Sequence, residues 1–394
     1  MTGKGALSRF KVIDLTRVRA GPTCARHLAD WGADVIKVET PESLEEGEGM
    51  GGPRLGPDFW NLHRNKRSIT LNLKEPDAVA IFKKLVATAD VVVENYRPDV
   101  KHRLGVDYQT LRKVNPRLVY ASISGFGQDG PYAPLPGFDQ VAQGMGGLMS
   151  ITGVPGEGPM RVGIPVADLS AGNYAAMGIM VALLEREVSG EGQWVQTSLL
   201  QAQIAMLDFQ AARWTVAGEV PGQAGNDHPT SIPTGVFPTS DGDINIAAAG
   251  DVIWRRCCEA LDAKALLDNP DYASGANRSK NRKALNAELA VHTRRFTSAA
   301  LIERLNKASV PCGPIYKMDE VFSDVQVRHV GIASPMQHPV RGDVAVIGQA
   351  MTLSRTPSVV DRPTPGRGEH TDAILRELGY TDAQVSDFRK RVVV

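Results

Sequence analysis

Short apolar runs rich in valine and isoleucine alternate with stretches of helical period through the first half of the chain. Residues 10–15, 34–39, 90–95 and 118–123 read as strands, and helical spacing runs through 23–31, 76–88 and 108–114. Strand, helix, strand at this spacing predicts βαβ units closing into a parallel, doubly wound sheet, the Rossmann-like α/β class. Ligands of such sheets lie at the carboxyl ends of the strands. A long apolar stretch then follows Asp168 and runs to Leu184 before charge resumes at Glu185. Its sides are apolar nearly all round, which predicts a buried helix. The run falls short of the roughly 18 residues that a membrane span needs, and Asn173 interrupts it.

Around 221–233 the composition shifts to Gly, Asn, Pro and His, a linker or active-site loop. Residues 235–238 and 243–247 flank an Asp241-Gly242 turn and read as a hairpin, with a second hairpin expected at 336–347. Helical patterns occupy 252–262, 279–294 and 299–308. The expected organisation is a large domain over 1–220, a smaller α+β domain over 225–325, and a segment over 330–394 that returns to the large one.

Charge excludes several partners. The 394 residues carry 44 Lys plus Arg against 44 Asp plus Glu, so nothing marks a nucleic acid or an anionic membrane as a partner. Local basic clusters, residues 64–67 and 101–103, suit a small anion better. Four cysteines (Cys24, Cys257, Cys258 and Cys312) with no CxxC fit a reduced compartment. No HExxH or Cys/His cluster points to a metal. Residues 1–11 carry no apolar signal region, so a soluble, cytoplasmic protein is expected. The dinucleotide fingerprint is missing, since the first strand runs into Thr16 to Pro22 with proline directly after Gly21. No P-loop is present either.

Asp168 has two readings on these patterns. Its oxygens suit an N-cap, although Ala171 three positions on completes no capping box. The alternative is a reagent carboxylate held at a helix start. Pattern alone leaves both open.

Separated segments resemble the family III CoA-transferases (the CaiB/BaiF family). That group includes formyl-CoA, carnitine-CoA and succinyl-CoA:dicarboxylate transferases and α-methylacyl-CoA racemase. The matching pieces are residues 12–17, 20–22, 28–39, 65–69, 71–74, 93–98, 124–131, 137–140, 166–168, 225–226, 228–229 and 368–371. The resemblance implies that Asp168 is a covalent nucleophile, that a CoA thioester is substrate with no permanently bound cofactor, and that the chain forms an interlocked homodimer. At a helix N-terminus the carboxylate is expected to stay ionised, with amides aimed at its oxygens. Carried over by position, Arg19, Ala20, Thr40, Leu71, Lys74, Asn95, Arg97, Arg103 and Phe138 line the CoA. Lys74, Arg97 and Arg103 suit its phosphates. Thr40 stands where formyl-CoA transferases have an arginine.

Racemases of this family carry histidine at the place of Phe138, a residue that cannot titrate. Their small-domain glutamate falls in a stretch whose nearest carboxylate is Asp251. A transferase is therefore expected, with an α-methylacyl-CoA racemase-type isomerase as the alternative. The wording of residues 14–18 and the 232–233 region lie closer to transferases using succinyl-CoA and a small dicarboxylic acid. Arg17, Arg19 and His228 are the candidates to meet the acceptor's far carboxylate, His228 alternatively ordering its own loop.

Overall fold

A computed structural model describes residues 5–45 and 52–394; the first residues of the 1–11 stretch lie outside the described ones. Its main sheet is six-stranded and wholly parallel, in the order β3-β2-β1-β4-β5-β6. The strands are β1 (Lys11–Asp14), β2 (Asp34–Glu39), β3 (Lys66–Thr70), β4 (Val91–Glu94), β5 (Val119–Ser124) and β6 (Trp194–Ser198). The parallel α/β class is therefore as expected, with two edge strands the apolar pattern did not reveal. β3 reads Lys-Arg-Ser-Ile-Thr, and its lysine is buried only because an aspartate of β1 neutralises it. β6 is half-buried and carries Gln and Thr.

Helices α1 (Ala20–Asp30), α2 (Pro57–His63), α3 (Pro76–Ala87), α4 (Pro98–Leu104) and α5 (Tyr108–Leu111) connect the early strands. α6 (Asp139–Met145), α7 (Leu148–Ile151), α8 (Val166–Ser189) and α9 (Leu199–Met206) follow. α1 begins at Ala20 rather than at 23, because Pro22 falls within its first turn, where a missing N–H costs nothing.

The chain divides into two compact units: residues 1–148, 162–212 and 328–394, and residues 149–161 and 213–327. In the first unit one apolar layer joins α1 and α8 to the sheet, with Val12, Val91, Val119, Ala171, Ala175 and Ile179 at its centre. The opposite layer packs Ile13, Ile36, Ile81, Phe82 and Val92 with Ile374 and Leu375 from near the C-terminus. Residues 359–393 run along the β3 edge. The amides of Asn65, His370 and Asn72 donate to the carbonyls of Arg362, Ser68 and Val393 at 3.0, 2.9 and 2.8 Å. An exposed row of unpaired strand groups is thereby covered. The second unit has a three-stranded antiparallel sheet, β7 (Thr234–Pro238), β8 (Asp243–Ala247) and β9 (Cys312–Pro314), around Phe237, Ile244, Trp254, Leu285 and Leu301.

α8 departs from the expected all-round burial. At 24 residues it is long and apolar enough to cross a membrane, and half of it is buried. Ala167, Ala171, Ala175, Ile179 and Ala182 face the core, while Met177, Val181, Leu184 and Val188 are 51, 60, 69 and 90 % exposed. Small residues let α1 and α8 approach closely. A Cβ added at Gly172 would sit 2.6 Å from the Ala20 carbonyl oxygen.

Candidate active site

Sheet order reverses direction between β1 and β4, and the crevice at such a switch point is where open α/β sheets hold their ligands. The loop after β1 and the loop after β4 meet there. The Arg17 amide donates to Asn95 Oδ1 at 2.9 Å, and Asn95 Nδ2 returns a bond to the Arg17 carbonyl at 2.7 Å. Arg17 also donates from Nη2 to Thr40 Oγ1 at 3.0 Å, at the end of β2. Three of the residues singled out from the sequence thus converge. Between them Val18 holds φ +66°, a region that β-branched side chains resist and that the flanking bonds impose.

Beneath the loop lies a buried polar bracket. Thr16 donates its amide and hydroxyl to Asp14 Oδ1 at 2.9 and 2.5 Å, and Lys66 Nζ donates to Asp14 Oδ2 at 2.8 Å. Lys37 Nζ reaches the Thr16 carbonyl at 3.0 Å. Burial pushes the Asp14 carboxyl up, but Lys66 and Lys37 outweigh it and hold Asp14 below its ordinary value. Removing either partner would strand a buried charge.

Asp168 is the third residue of α8, not its cap. Pro165 occupies the cap position and offers no side chain. The cap comes from another helix: Asp139 Oδ1, at the start of α6, accepts the amides of Ala167 at 2.9 Å and Asp168 at 3.4 Å. Gln143, one turn on, donates to Asp139 Oδ2 at 2.7 Å and accepts the Val162 amide at 3.0 Å. The first-turn amides are consequently engaged by Asp139 rather than aimed at the Asp168 oxygens, which corrects the expectation from the sequence. Among the described residues no donor bonds the Asp168 carboxylate, and the side chain is only partly buried. Its pKa is pushed up to about 6, first by burial and then by the Asp139 charge, with Arg19 pulling the other way. The helix end does not hold it at an ordinary carboxylate value.

Arg19 immediately precedes α1 and donates from Nη2 to Asp58 Oδ2 at 2.6 Å. Ala20 and Leu71 are 4 and 2 % exposed, with side chains inside the two apolar layers. Any contact they make with a ligand is therefore through backbone. Lys74 and Arg103 share a surface groove of about 790 Å³ with Leu73, Val79 and Leu104. The same groove holds Lys83, which sequence reading did not select. Its signal was the α3 spacing of Val79, Ala80 and Lys83. Arg97 is exposed and 3.5 Å from Asp99. Phe138 is half exposed and directly precedes Asp139.

His228 belongs to the second unit. Its Nδ1 accepts the amides of Thr230 and Ser231 at 3.2 and 2.9 Å, so it orders its own loop. In the same unit Asp251 accepts from Arg278 Nη2 at 2.7 Å. Arg278 is buried and also donates to the Ile232 and Tyr272 carbonyls. No group of three His, Cys, Asp or Glu suited to a metal occurs among the described residues.

A model of CoA-transferase family III matches residues 7–371 of the chain. The succinate–glutarate CoA-transferase of Agrobacterium fabrum is 39 % identical over 384 residues, covering 95 % of this chain and 96 % of that protein. The human succinyl-CoA:glutarate CoA-transferase is 36 % identical over 392 residues, covering 98 % of this chain and 90 % of that one. Among solved structures, a CaiB/BaiF family protein from Brucella suis aligns with a TM-score of 0.83 at 34 % identity, covering 95 % of this chain and all of that one.

Proposed function

The chain belongs to CoA-transferase family III, and we propose that it moves CoA from succinyl-CoA to a dicarboxylic acid of about glutarate size, with Asp168 as the covalent nucleophile. The observation that carries this reading is the division of labour between two carboxylates. Asp139 caps α8, which leaves the Asp168 oxygens without a hydrogen-bond partner among the described residues. A cap and a reagent are competing uses of one side chain, and here different residues serve them.

An Asp168 oxygen attacks the thioester carbonyl, the C–S bond breaks, and a mixed anhydride forms with release of CoA thiolate. The thiolate then attacks the aspartyl carbon and expels succinate, which leaves an aspartyl-CoA thioester. The acceptor carboxylate attacks that thioester and frees thiolate again. Thiolate attack on the acceptor carbon of the second anhydride yields the new acyl-CoA and restores Asp168. One thioester replaces another, so the exchange is nearly isoenergetic and calls chiefly for alignment.

Arg19, beside Asp168, is the cation placed to meet a carboxylate there. The groove of Lys74, Lys83 and Arg103 suits the CoA nucleotide, with Asn95 and Arg97 nearby on the loop after β4. Racemisation is disfavoured by Phe138, which cannot titrate, and by Asp251, which Arg278 engages. The exposed apolar face of α8 supports an interlocked homodimer. The balanced charge supports an enzyme without nucleic-acid or membrane partners, and four free cysteines support a reduced, cytoplasmic compartment.

Mass spectrometry tests the nucleophile. Incubation with succinyl-CoA followed by hydroxylamine or borohydride is expected to modify Asp168 alone, and Asp168→Ala to lose transfer while still binding CoA. Turnover retained by Asp168→Ala, or no adduct with any acyl-CoA, would sink the assignment.

A further inference from the structure

Three polar side chains lie sealed beneath the carboxyl ends of β4 and β5: Glu94, Lys101 and Ser122 are each no more than 1 % exposed. Lys101 Nζ, on α4, donates to Glu94 Oε1 at 2.8 Å, to Ser122 Oγ at 3.1 Å and to Gln128 Oε1, which uses all three of its protons. Ser122 Oγ donates to Glu94 Oε1 and accepts the Trp194 indole N–H at 2.8 Å. Glu94 Oε2 accepts the Tyr96 amide at 2.8 Å. A buried ion pair adds little net stability, because desolvation offsets the attraction, and an apolar side chain would fill the place as well. Its distinguishing property here is direction. Two of its bonds reach loops at this end of the sheet, one the loop after β4 and the other the loop after β5.

The first bond shapes the turn after β4, where Asn95 holds the Arg17 loop through two hydrogen bonds. The second holds Gln128, in the loop of residues 125–137. That loop is pinched at its neck: a Cβ added at Gly125 would sit 2.7 Å from the Gly137 Cα. The Leu200 amide, at the start of α9, donates to the Gly125 carbonyl at 3.1 Å and pins the near side of the neck. A loop whose ends touch in this way is an Ω-loop, a class often found at functional sites. Directly beyond Gly137 come Phe138 and Asp139, the carboxylate that caps α8 and acts on Asp168. From this geometry we infer that Lys101 is a positioning residue for CoA transfer: one buried ammonium fastens the loop after β4 to the loop after β5, and so sets where the chain enters α6 and presents Asp139 to Asp168. The inference rests on the CoA-transferase reading above. Lys101 is itself sealed from the crevice and acts through Gln128 and the glycine neck. Without that third bond the loop is free to turn about its neck and carry Asp139 away from Asp168.

Gln128→Ala tests the latch without stranding a charge, since the Lys101–Glu94 pair stays whole. Lys101→Met combined with Glu94→Gln removes both charges together. The assay is transfer from succinyl-CoA to glutarate. Displacing reacting groups by about 1 Å costs on the order of 100-fold, so kcat is expected to fall about 10- to 100-fold in both proteins. KM for glutarate should stay within about 2-fold. The pH limb of kcat/KM near 6 should move down, as the Asp139 charge withdraws from Asp168. In an Asp139→Asn background neither change should move it further. A merely structural role lowers the melting temperature and leaves the limb in place. That outcome overturns the inference, as does wild-type kcat in either protein. Hydrogen exchange gives a second reading that needs no turnover. Losing a charge-assisted hydrogen bond favours opening by about 10-fold or more, so amides of 126–136 should exchange that much faster in Gln128→Ala. In the double variant those of 95–97 should quicken as well. Unchanged exchange defeats the latch whatever the kinetics show. A wild type that transfers no CoA defeats the reading above, and exchange then still decides whether Lys101 joins the two loops.

Discussion

Asp168 carries a charge that the fold resists. Its pKa of about 6 lies above the ordinary 3.8, with burial the larger cause and Asp139 the second. A nucleophilic carboxylate must be ionised, so kcat/KM for succinyl-CoA is expected to rise as pH passes through about 6. Asp139→Asn removes the like charge and should move that limb down. Arg19→Gln removes the opposing cation and should move it up. A limb that both variants leave in place would detach the pH dependence from Asp168. Stability runs the other way. A carboxyl whose pKa is raised by folding stabilises the fold fully below about 4 and loses that contribution as pH climbs through about 6. Asp168→Asn should therefore unfold at higher temperature than wild type at pH 7.5, by on the order of 2 kcal/mol, with the gap closing near pH 4. Differential scanning fluorimetry at the two pH values measures it. At this scale the sequence singled out Asp168 and implied an ionised carboxylate with amides aimed at it, whereas the structure gives those amides to Asp139 and raises the Asp168 pKa. The capping partner lies 28 positions before Ala167, on α6, and no local pattern links Asp139 to it.

Helices and strands were legible where burial follows apolar period and obscure where charge is buried in pairs. β1, β2, β4 and β5 read as valine- and isoleucine-rich runs, as strands covered on both faces do. β3 escaped notice because Lys66 and Arg67 look like surface. Yet Lys66 is buried against Asp14, and Arg67 forms a fork with Asp34 at 3.0 and 2.6 Å. α8 misled in the opposite sense, since an apolar circumference argues burial without saying by what. Its inner face does have a strict requirement. Gly172 has no room for a Cβ, because the obstacle is the Ala20 backbone and Thr23 rather than the end of a flexible side chain. Gly172→Val should destabilise by about 2–3 kcal/mol and prise α1 from α8. That would separate Arg19 from Asp168, so kcat should fall more than KM for succinyl-CoA rises. A kcat loss no larger than the fraction of unfolded protein would show that the close approach serves stability alone.

For the whole molecule the apolar face of α8 is the main feature the single chain does not account for. Met177, Val181, Leu184 and Val188 recur at helical spacing and are all more than half exposed. Isolated exposed apolar residues are ordinary, but a contiguous stripe on one long helix marks a surface that something covers. A bilayer would have to accept Glu185 and Glu187 on the same turns, whereas a second copy of the chain can pair them. The proposed homodimer would connect the oligomeric state to the site, because the same helix carries Asp168, the proposed nucleophile. Leu184→Asp, sixteen residues beyond Asp168 and on the outer face, is expected to shift the species seen by analytical ultracentrifugation from dimer toward monomer. Its far-UV circular dichroism should stay close to wild type. Activity should fall with the dimer fraction and recover at high protein concentration, since association follows mass action. A Leu184→Asp protein that stays dimeric, or a wild type that sediments as a monomer, would leave the stripe to some other cover.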